Sequence, residues 1–343
     1  MLALMQKQRK YLIFSAYPLT ILLVWWARKN PEQLELFYGK GFYHFSKTIR
    51  DWVFDLLPFS FGDLFYTFLF LGLFFLSASL VKNWKKGLFH LFASIGILLL
   101  WFHISWGLNY YRPSVCDVQN INYTEDELIE TSKRLIEETN LLHEKLSVNK
   151  NTAVVIQATT KELIDQLTKP LTETTFHATV KQSLFSTPLS YMGFSGYLNP
   201  FTLEAQINST LPKISLPITI AHEMAHQNGI AAENDANFMG FKQCYTHTDN
   251  QIRYAALLFA YQKCYGALYT VRPEMAVELN CDLNPGILEN YKEIYTFWID
   301  HQNPLEPYFK SSYDRYLKAN NQSAGILSYD QVVGQIIGYF KAK

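Results

Sequence analysis

Neither sign of charge prevails in this chain, since 30 Lys and Arg stand against 30 Asp and Glu in 343 residues. A basic surface for nucleic acid is missing, and no nucleic-acid motif takes its place, so the sequence calls for no nucleic-acid partner. Low-complexity tracts and internal repeats are also lacking, which excludes solenoids and propellers. Cysteine is scarce. Cys116, Cys244, Cys264 and Cys281 are the four present, and no two stand at Cys-x-x-Cys spacing, which argues against a second metal site built on sulfur. An oxidising compartment would permit disulfides among them, but spacing does not fix the pairing. Local absence of charge is the most informative gap. Long stretches of the first third hold no charged residue and are crowded with aliphatic and aromatic side chains, whereas acidic and polar residues dominate afterwards.

Those uncharged stretches predict a membrane domain over residues 1–112, with three transmembrane helices at about 11–27, 62–81 and 87–111. The first, Tyr11 to Trp26, spans about 24 Å as a helix, with Lys10 and Arg28 placed to snorkel. A secretory signal is the alternative, although Trp25-Trp26-Ala27-Arg28 is a poor cleavage site. The other two runs are Leu64 to Val81 and Gly87 to Tyr111. His90 and His103 within the third suit hydrogen bonding at helix contacts. Lys7, Arg9 and Lys10 precede the first run, and Lys82, Lys85 and Lys86 fill the loop between the second and third, so both places should be cytoplasmic. Residues 113–343 then lie outside the cytoplasm, as does a loop from Arg28 to Phe61.

The external part reads as mostly helical with a small sheet. Thr124 to Leu146 predicts an amphipathic helix, with Thr124 and Glu127 as a capping box. Val154-Val155-Ile156 predicts a short strand, and Lys161 to Leu167 a short helix. Tyr191 to Tyr197 alternates aromatic residues with glycine and predicts strand and turn, not helix. Asn250 to Tyr269 reads as a buried helix, followed by helices at Ile287 to Trp298, Pro307 to Leu317 and Tyr329 to Phe340.

The stretch that carries chemistry is Ile220-Ala221-His222-Glu223-Met224-Ala225-His226-Gln227-Asn228-Gly229. On a helix, His222 and His226 stand one turn apart on the same face, the spacing that presents two imidazoles to one zinc ion. Glu223 lies about 100° round the helix, placed to act as general base toward a zinc-activated water. Pro217 suits the first turn and Gly229 the end of such a helix. A third ligand is needed. Glu233 is the first choice, returned to the histidines by a reversal after Gly229, with Asp235 as its competitor and Asn237 placed to hydrogen-bond a ligand histidine. Lys213, Glu233 and Asp235 flank the motif too closely for a span of about 20 apolar residues, so the site belongs in water or at the membrane surface. His177, His247 and His301 are candidates for transition-state support, and Tyr313, Tyr316 and Tyr329 for an oxyanion donor.

His222-Glu223-x-x-His226 followed by Glu233-Asn234-Asp235-Ala236-Asn237 resembles the gluzincin metallopeptidases, whose second motif is Glu-x-x-Ala-Asn or Glu-x-x-Ala-Asp. Only six residues separate His226 from Glu233, shorter than is usual there, so a very tight turn must join the helices. A metzincin would need its third histidine where Ala232 stands. The whole chain is similar to an uncharacterised family of bacterial membrane proteins with three N-terminal spans and an external zincin-like domain. That likeness runs through Trp106 to Pro113, Tyr191 to Phe201, the zinc motif and Tyr313 to Lys318. It implies a mainly α membrane protein of the bacterial cytoplasmic membrane, carrying a mostly helical α+β zincin-like metallopeptidase domain with one Zn²⁺ and a peptide or protein substrate. In zincins an edge strand before the motif helix pairs with bound peptide. Gly193, Phe194, Ser195, Gly196 and Tyr197 would supply that strand here. A non-catalytic, zinc-stabilised binding or regulatory module of the cell envelope is the alternative.

Overall fold

The structure, a computed structural model, describes residues 15–114, 116, 122–169 and 179–342, side chains 328–330 excepted. The chain divides into two compact units. One holds the described residues up to Pro113 together with Asn199–Glu204, and the other holds the remainder.

In the first unit, α1 (Ala16–Lys29) is followed by one nearly continuous helical segment: α2 (Pro31–Leu34), a π-helical stretch (Glu35–Tyr43) and α3 (His44–Phe54). The expected loop from Arg28 to Phe61 is therefore largely helical. Then come α4 (Phe61–Lys82) and α5 (Trp84–Ser105), joined at Asn83, whose side chain accepts from the Lys86 amide and caps α5. Among the described residues, α4 and α5 are the two helices long and apolar enough to cross a membrane. α1 packs against α5, with the Tyr17 hydroxyl donating to the Phe92 carbonyl at 2.6 Å. The first expected span begins outside the described residues, and α1 at 14 residues covers only its later part. The third expected span ends early. α5 stops at Ser105, and Gly107–Tyr111 form a buried 3₁₀ turn in which Asn109 Nδ2 donates to the Trp106 carbonyl at 2.8 Å. Tyr110 meets the Trp106 ring edge-on at 5.0 Å. These side chains pack on protein, which their apolar character alone does not distinguish from lipid. His103 bonds the Leu99 carbonyl of its own helix.

The Asn199–Glu204 loop belongs to this unit through specific contacts. The buried Glu204 carboxylate accepts from the amides of Phe61 (3.1 Å) and Gly62 at the start of α4, where the helix dipole favours an anion. Phe201 lies among Phe65 (5.1 Å) and Trp101 (4.8 Å).

The second unit opens with α6 (Glu125–Leu146), capped by Thr124 and Glu127 as a capping box, and α7 (Thr160–Thr168), capped likewise by Thr159 and Glu162. Three short strands follow: β1 (Val180–Gln182), β2 (Gly196–Leu198) and β3 (Ala205–Ile207). Their order is β1-β3-β2, with β1 parallel and β2 antiparallel to β3. Between β1 and β2 lies α8 (Ser186–Met192), so Tyr191 and Met192 are helical and only the later part of the Tyr191–Tyr197 stretch is strand. Gly193 ends α8 with a left-handed φ of 79°, a conformation that glycine adopts without strain.

The helical body consists of α9 (Leu216–Gln227), α10 (Glu233–Tyr245), α11 (Asn250–Val271), α12 (Pro273–Asn280), α13 (Pro285–Asp300), α14 (Glu306–Ala319) and α15 (Val332–Lys341). α11 packs against α6, α10, α12 and α15, and residues at nearly every turn of it are buried, as its interrupted but largely apolar sequence leads one to expect. α9 is wedged between α10 and β3 and is buried on almost every side.

The strand expected at Val154–Ile156 does not form. Among the described residues no strand pairs with it, and a buried side chain serves the backbone instead: Asn290 Oδ1 accepts from the Val154 amide (3.1 Å) and Asn290 Nδ2 donates to the Val154 carbonyl (3.0 Å). The Tyr254 hydroxyl also donates to Asn290 Oδ1 at 3.0 Å. Asn290→Ala would leave three buried polar groups unpaired. A loss of about 2–4 kcal/mol is expected, measured by urea unfolding of the detergent-solubilised protein. A loss under about 1 kcal/mol would mean that water takes over these bonds.

Candidate metal centre

α9 places the motif because its two requirements do not compete. Leu216, Ile220, Ala221 and Met224 hold the helix in the apolar core, while His222, Glu223 and His226 occupy the remaining face. Pro217 sits in the first turn, where its missing N–H costs nothing. Gly229, at φ 85°, then reverses the chain, with its amide bonding the His226 carbonyl and the Ile230 amide bonding Ala225. The tight turn demanded by the six-residue interval is thus made. α10 begins at Glu233 and returns alongside α9, and a Cβ at Gly240 would stand 3.1 Å from the His222 backbone nitrogen, so the absent side chain is what lets the helices approach.

Glu233 Oε2 lies 3.4 Å from His222 Nε2 and 3.4 Å from His226 Nε2. One donor atom from each residue falls within 4.8 Å of the others. Donors held at about 2.0–2.1 Å in a tetrahedron are spaced about 3.4 Å apart, so the two separations from Glu233 match those of a zinc site and the group could hold a metal ion. Oε2 of Glu233, apart from its two imidazole contacts, is also buried without a hydrogen-bond partner, and so is Glu223 Oε2. Orphaned buried oxygens of this kind are rare unless a ligand satisfies them.

The surroundings orient each donor. The carbonyl of Ile230, brought round by the turn, accepts a hydrogen bond from His226 Nδ1 at 2.7 Å and leaves Nε2 to face Glu233. The Tyr313 hydroxyl on α14 donates to Glu233 Oε1 at 2.6 Å, leaving Oε2 toward the histidines. Tyr313 is itself held by Phe194, edge-on at 5.5 Å, and by Tyr316, stacked at 5.9 Å. Glu223 reaches toward β2, where a Cβ at Gly196 would come within 2.7 Å of its Oε1. Only glycine lets the carboxylate and the strand come this close.

Electrostatics follow from the burial of two carboxylates and two imidazoles together. Burial alone would lower the His226 pKa, but the adjacent Glu233 charge outweighs it and lifts that pKa to about 9. Burial would raise Glu233, yet His226 and His222 together hold it well below the usual carboxylate range. Burial pushes Glu223 up, with the two histidines offsetting only part of the effect.

Glu233 and Asp235 are separated by the structure. Asp235 accepts from Ser114 Oγ (2.6 Å), Gln335 Nε2 (2.8 Å) and Asn234 Nδ2 (2.9 Å), and takes no part in the cluster. Asn237 is buried one turn beyond Glu233, but its Nδ2 meets no acceptor and the hydrogen bond expected from it to a ligand histidine is not formed. Gly196 and Tyr197 lie in β2, one of the two outer strands of the sheet among the described residues. Phe194 and Ser195 precede it, and their carbonyls accept from Asn208. His247 accepts from the Asp249 amide, and His301 bonds the Phe297 carbonyl and meets the Tyr191 ring, so neither joins the cluster. His177 and the Tyr329 side chain lie outside the described residues. The four cysteines are free thiols, with Cys281 exposed and the others buried.

Residues 38–337 match a family described as "Protein of unknown function (DUF3810)". The chain belongs to the DUF3810 family. No curated protein and no solved structure matches it. The His222, His226 and Glu233 cluster and the two apolar helices all fall within the part that matches the DUF3810 family.

Sequence reasoning missed the partners of the ligands. Tyr313 lies in one of the stretches on which the family likeness rested, but with 22 tyrosines in the chain nothing local marked it as the Glu233 donor. Tyr313→Phe is expected to weaken zinc binding by about 10–100-fold, read by competition with a chromophoric chelator. Unchanged affinity would mean that Oε2 is positioned without it. Because His226 is protonated below about pH 9 and a ligand imidazole must be neutral, zinc uptake at pH 7 should release close to one proton from this residue. Calorimetry in buffers of differing ionisation enthalpy measures that release, and none at pH 7 would contradict the raised pKa.

Proposed function

We propose that this protein is a membrane-anchored zinc-dependent hydrolase, in the first instance a metallopeptidase, with a zincin-like domain outside the cytoplasm. The observation that carries the reading is the convergence of one donor atom each from His222, His226 and Glu233 within 4.8 Å, with the Glu223 carboxylate beside them. A bound zinc would polarise the scissile carbonyl and lower the pKa of a water molecule from about 16 to near 7. The protein's own groups do the rest. The Ile230 carbonyl and the Tyr313 hydroxyl hold His226 and Glu233 in their ligating orientation. Glu223, made more basic by burial, accepts the proton of the attacking water and returns it to the leaving amine. β2 offers an extended backbone next to Glu223, to which a peptide can add as a further strand.

The membrane side of the proposal rests on charge. Lys82, Lys85 and Lys86 at the turn between α4 and α5 favour the cytoplasmic face, which would put residues 113–343 outside. A first span, running from the undescribed N-terminus through α1, would complete three.

One observation favours a second reading, a zinc-stabilised binding or regulatory module. The cluster is almost wholly buried, with the His222 side chain at 12% the most exposed of the three donors, and structural zinc sites are closed. Glu223→Gln separates the two readings. It should retain zinc, measured by elemental analysis, while hydrolysis of an unfolded fluorescent polypeptide falls about 10²–10⁴-fold. Undiminished turnover would remove Glu223 as base. A zinc-loaded wild-type protein that cleaves nothing would leave the module, and equal near-zero metal in wild type and His222→Ala would exclude both.

A further inference from the structure

The segment before the first apolar helix divides its surface into three sectors. At about 100° per residue along α3, Tyr43, Ser46, Lys47, Arg50 and Phe54 fall in one sector and are buried or half-buried. His44, Thr48 and Asp55 fall in a second and are exposed. Phe45, Ile49, Trp52, Val53 and Leu56 follow one another along the third, all large, apolar and exposed, with Trp52 at 72% and Leu56 at 73%. A helix packed on protein and facing water needs two sectors. The third is a large apolar surface that water alone would not favour.

Contacts within this unit say what lies against it. The buried sector fastens the segment to the end of the apolar hairpin where α5 finishes and α4 begins. Arg50 Nη1 donates to Oγ of Ser105, the last residue of α5, at 2.7 Å. Arg112 Nε, just beyond, donates to Glu35 at 2.6 Å, and the Phe54 ring stacks on Phe61, the first residue of α4, at 5.2 Å. At that end of two helices with bilayer-spanning length, an amphipathic helix meets acyl chains on one side and water on another. Phe42 continues the apolar stripe into the π-helical stretch, and tryptophan is a residue favoured at such boundaries.

We propose that residues 35–56 form an in-plane interfacial helix, embedded by the Phe45, Ile49, Trp52, Val53 and Leu56 face in the boundary between lipid headgroups and acyl chains. The inference rests on α4 and α5 crossing the bilayer and is independent of the metal centre. Spin labels test it in the full-length protein carrying Cys281→Ser, which removes the exposed thiol, reconstituted in vesicles of phosphatidylethanolamine and phosphatidylglycerol. Labels at Ile49→Cys and Trp52→Cys are compared with Thr48→Cys and Asp55→Cys, and Phe70→Cys within α4 serves as the in-lipid reference. The ratio of oxygen to nickel-chelate accessibility should be several-fold higher at 49 and 52 than at 48 and 55, and should approach the value at 70. Equal, nickel-accessible values at all four positions would overturn the proposal, as would labels at 49 and 52 shielded from both reagents, which would mean a protein covers the face. A nickel-accessible label at 70 would instead refute the spanning assignment on which it rests.

Discussion

A carboxylate held out of water between two imidazoles is the constraint that the second unit is arranged around. Burying Glu233 is costly unless positive charge or a cation compensates, and the neighbouring histidines more than offset its burial, holding it well below the usual carboxylate range. The packing reflects this cost. α9 is fixed on nearly every side by apolar contacts, the Gly229 turn returns a carbonyl to His226, Gly240 allows α10 to come close, and Tyr313 closes the remaining side of the carboxylate. Each device is small. Together they hold three donor atoms close enough for a metal ion to be shared among them.

The same logic appears in the first unit. At the start of α4 the buried Glu204 carboxylate is satisfied by two backbone amides and the helix dipole, and Arg112 meets Glu35 where α5 has given way to a 3₁₀ turn. Charged and amide groups thus gather at one end of the apolar hairpin, while the long middle of both helices stays apolar. An amphipathic segment with three distinct faces belongs at that boundary, because it alone touches protein, water and hydrocarbon at once.

Much of this was legible beforehand, for identifiable reasons. The capping box at Thr124 is local, so α6 begins where the sequence says. Uncharged runs are long enough that α4 and α5 declare themselves. The errors are equally physical. Val154–Ile156 has strand-forming residues but no neighbour with which to pair, and Asn290, far along the chain, takes the place of a ladder. Tyr191 and Met192 have glycine nearby, yet the glycine serves to end a helix. The third apolar run continues past Ser105 because a buried turn needs the same residues that lipid does.

By itself the sequence determined the facing pair His222 and His226 with Glu223 beside them, since helical geometry fixes residues four apart whatever surrounds them. It also determined which two stretches form helices long and apolar enough to cross a membrane. The tertiary structure alone decided that Glu233 and not Asp235 meets the histidines, that Asn237 makes no bond to them, and that Tyr313 orients the ligand carboxylate. Those outcomes depend on the crossing of two helices and the approach of a third, distances between segments that no local pattern encodes.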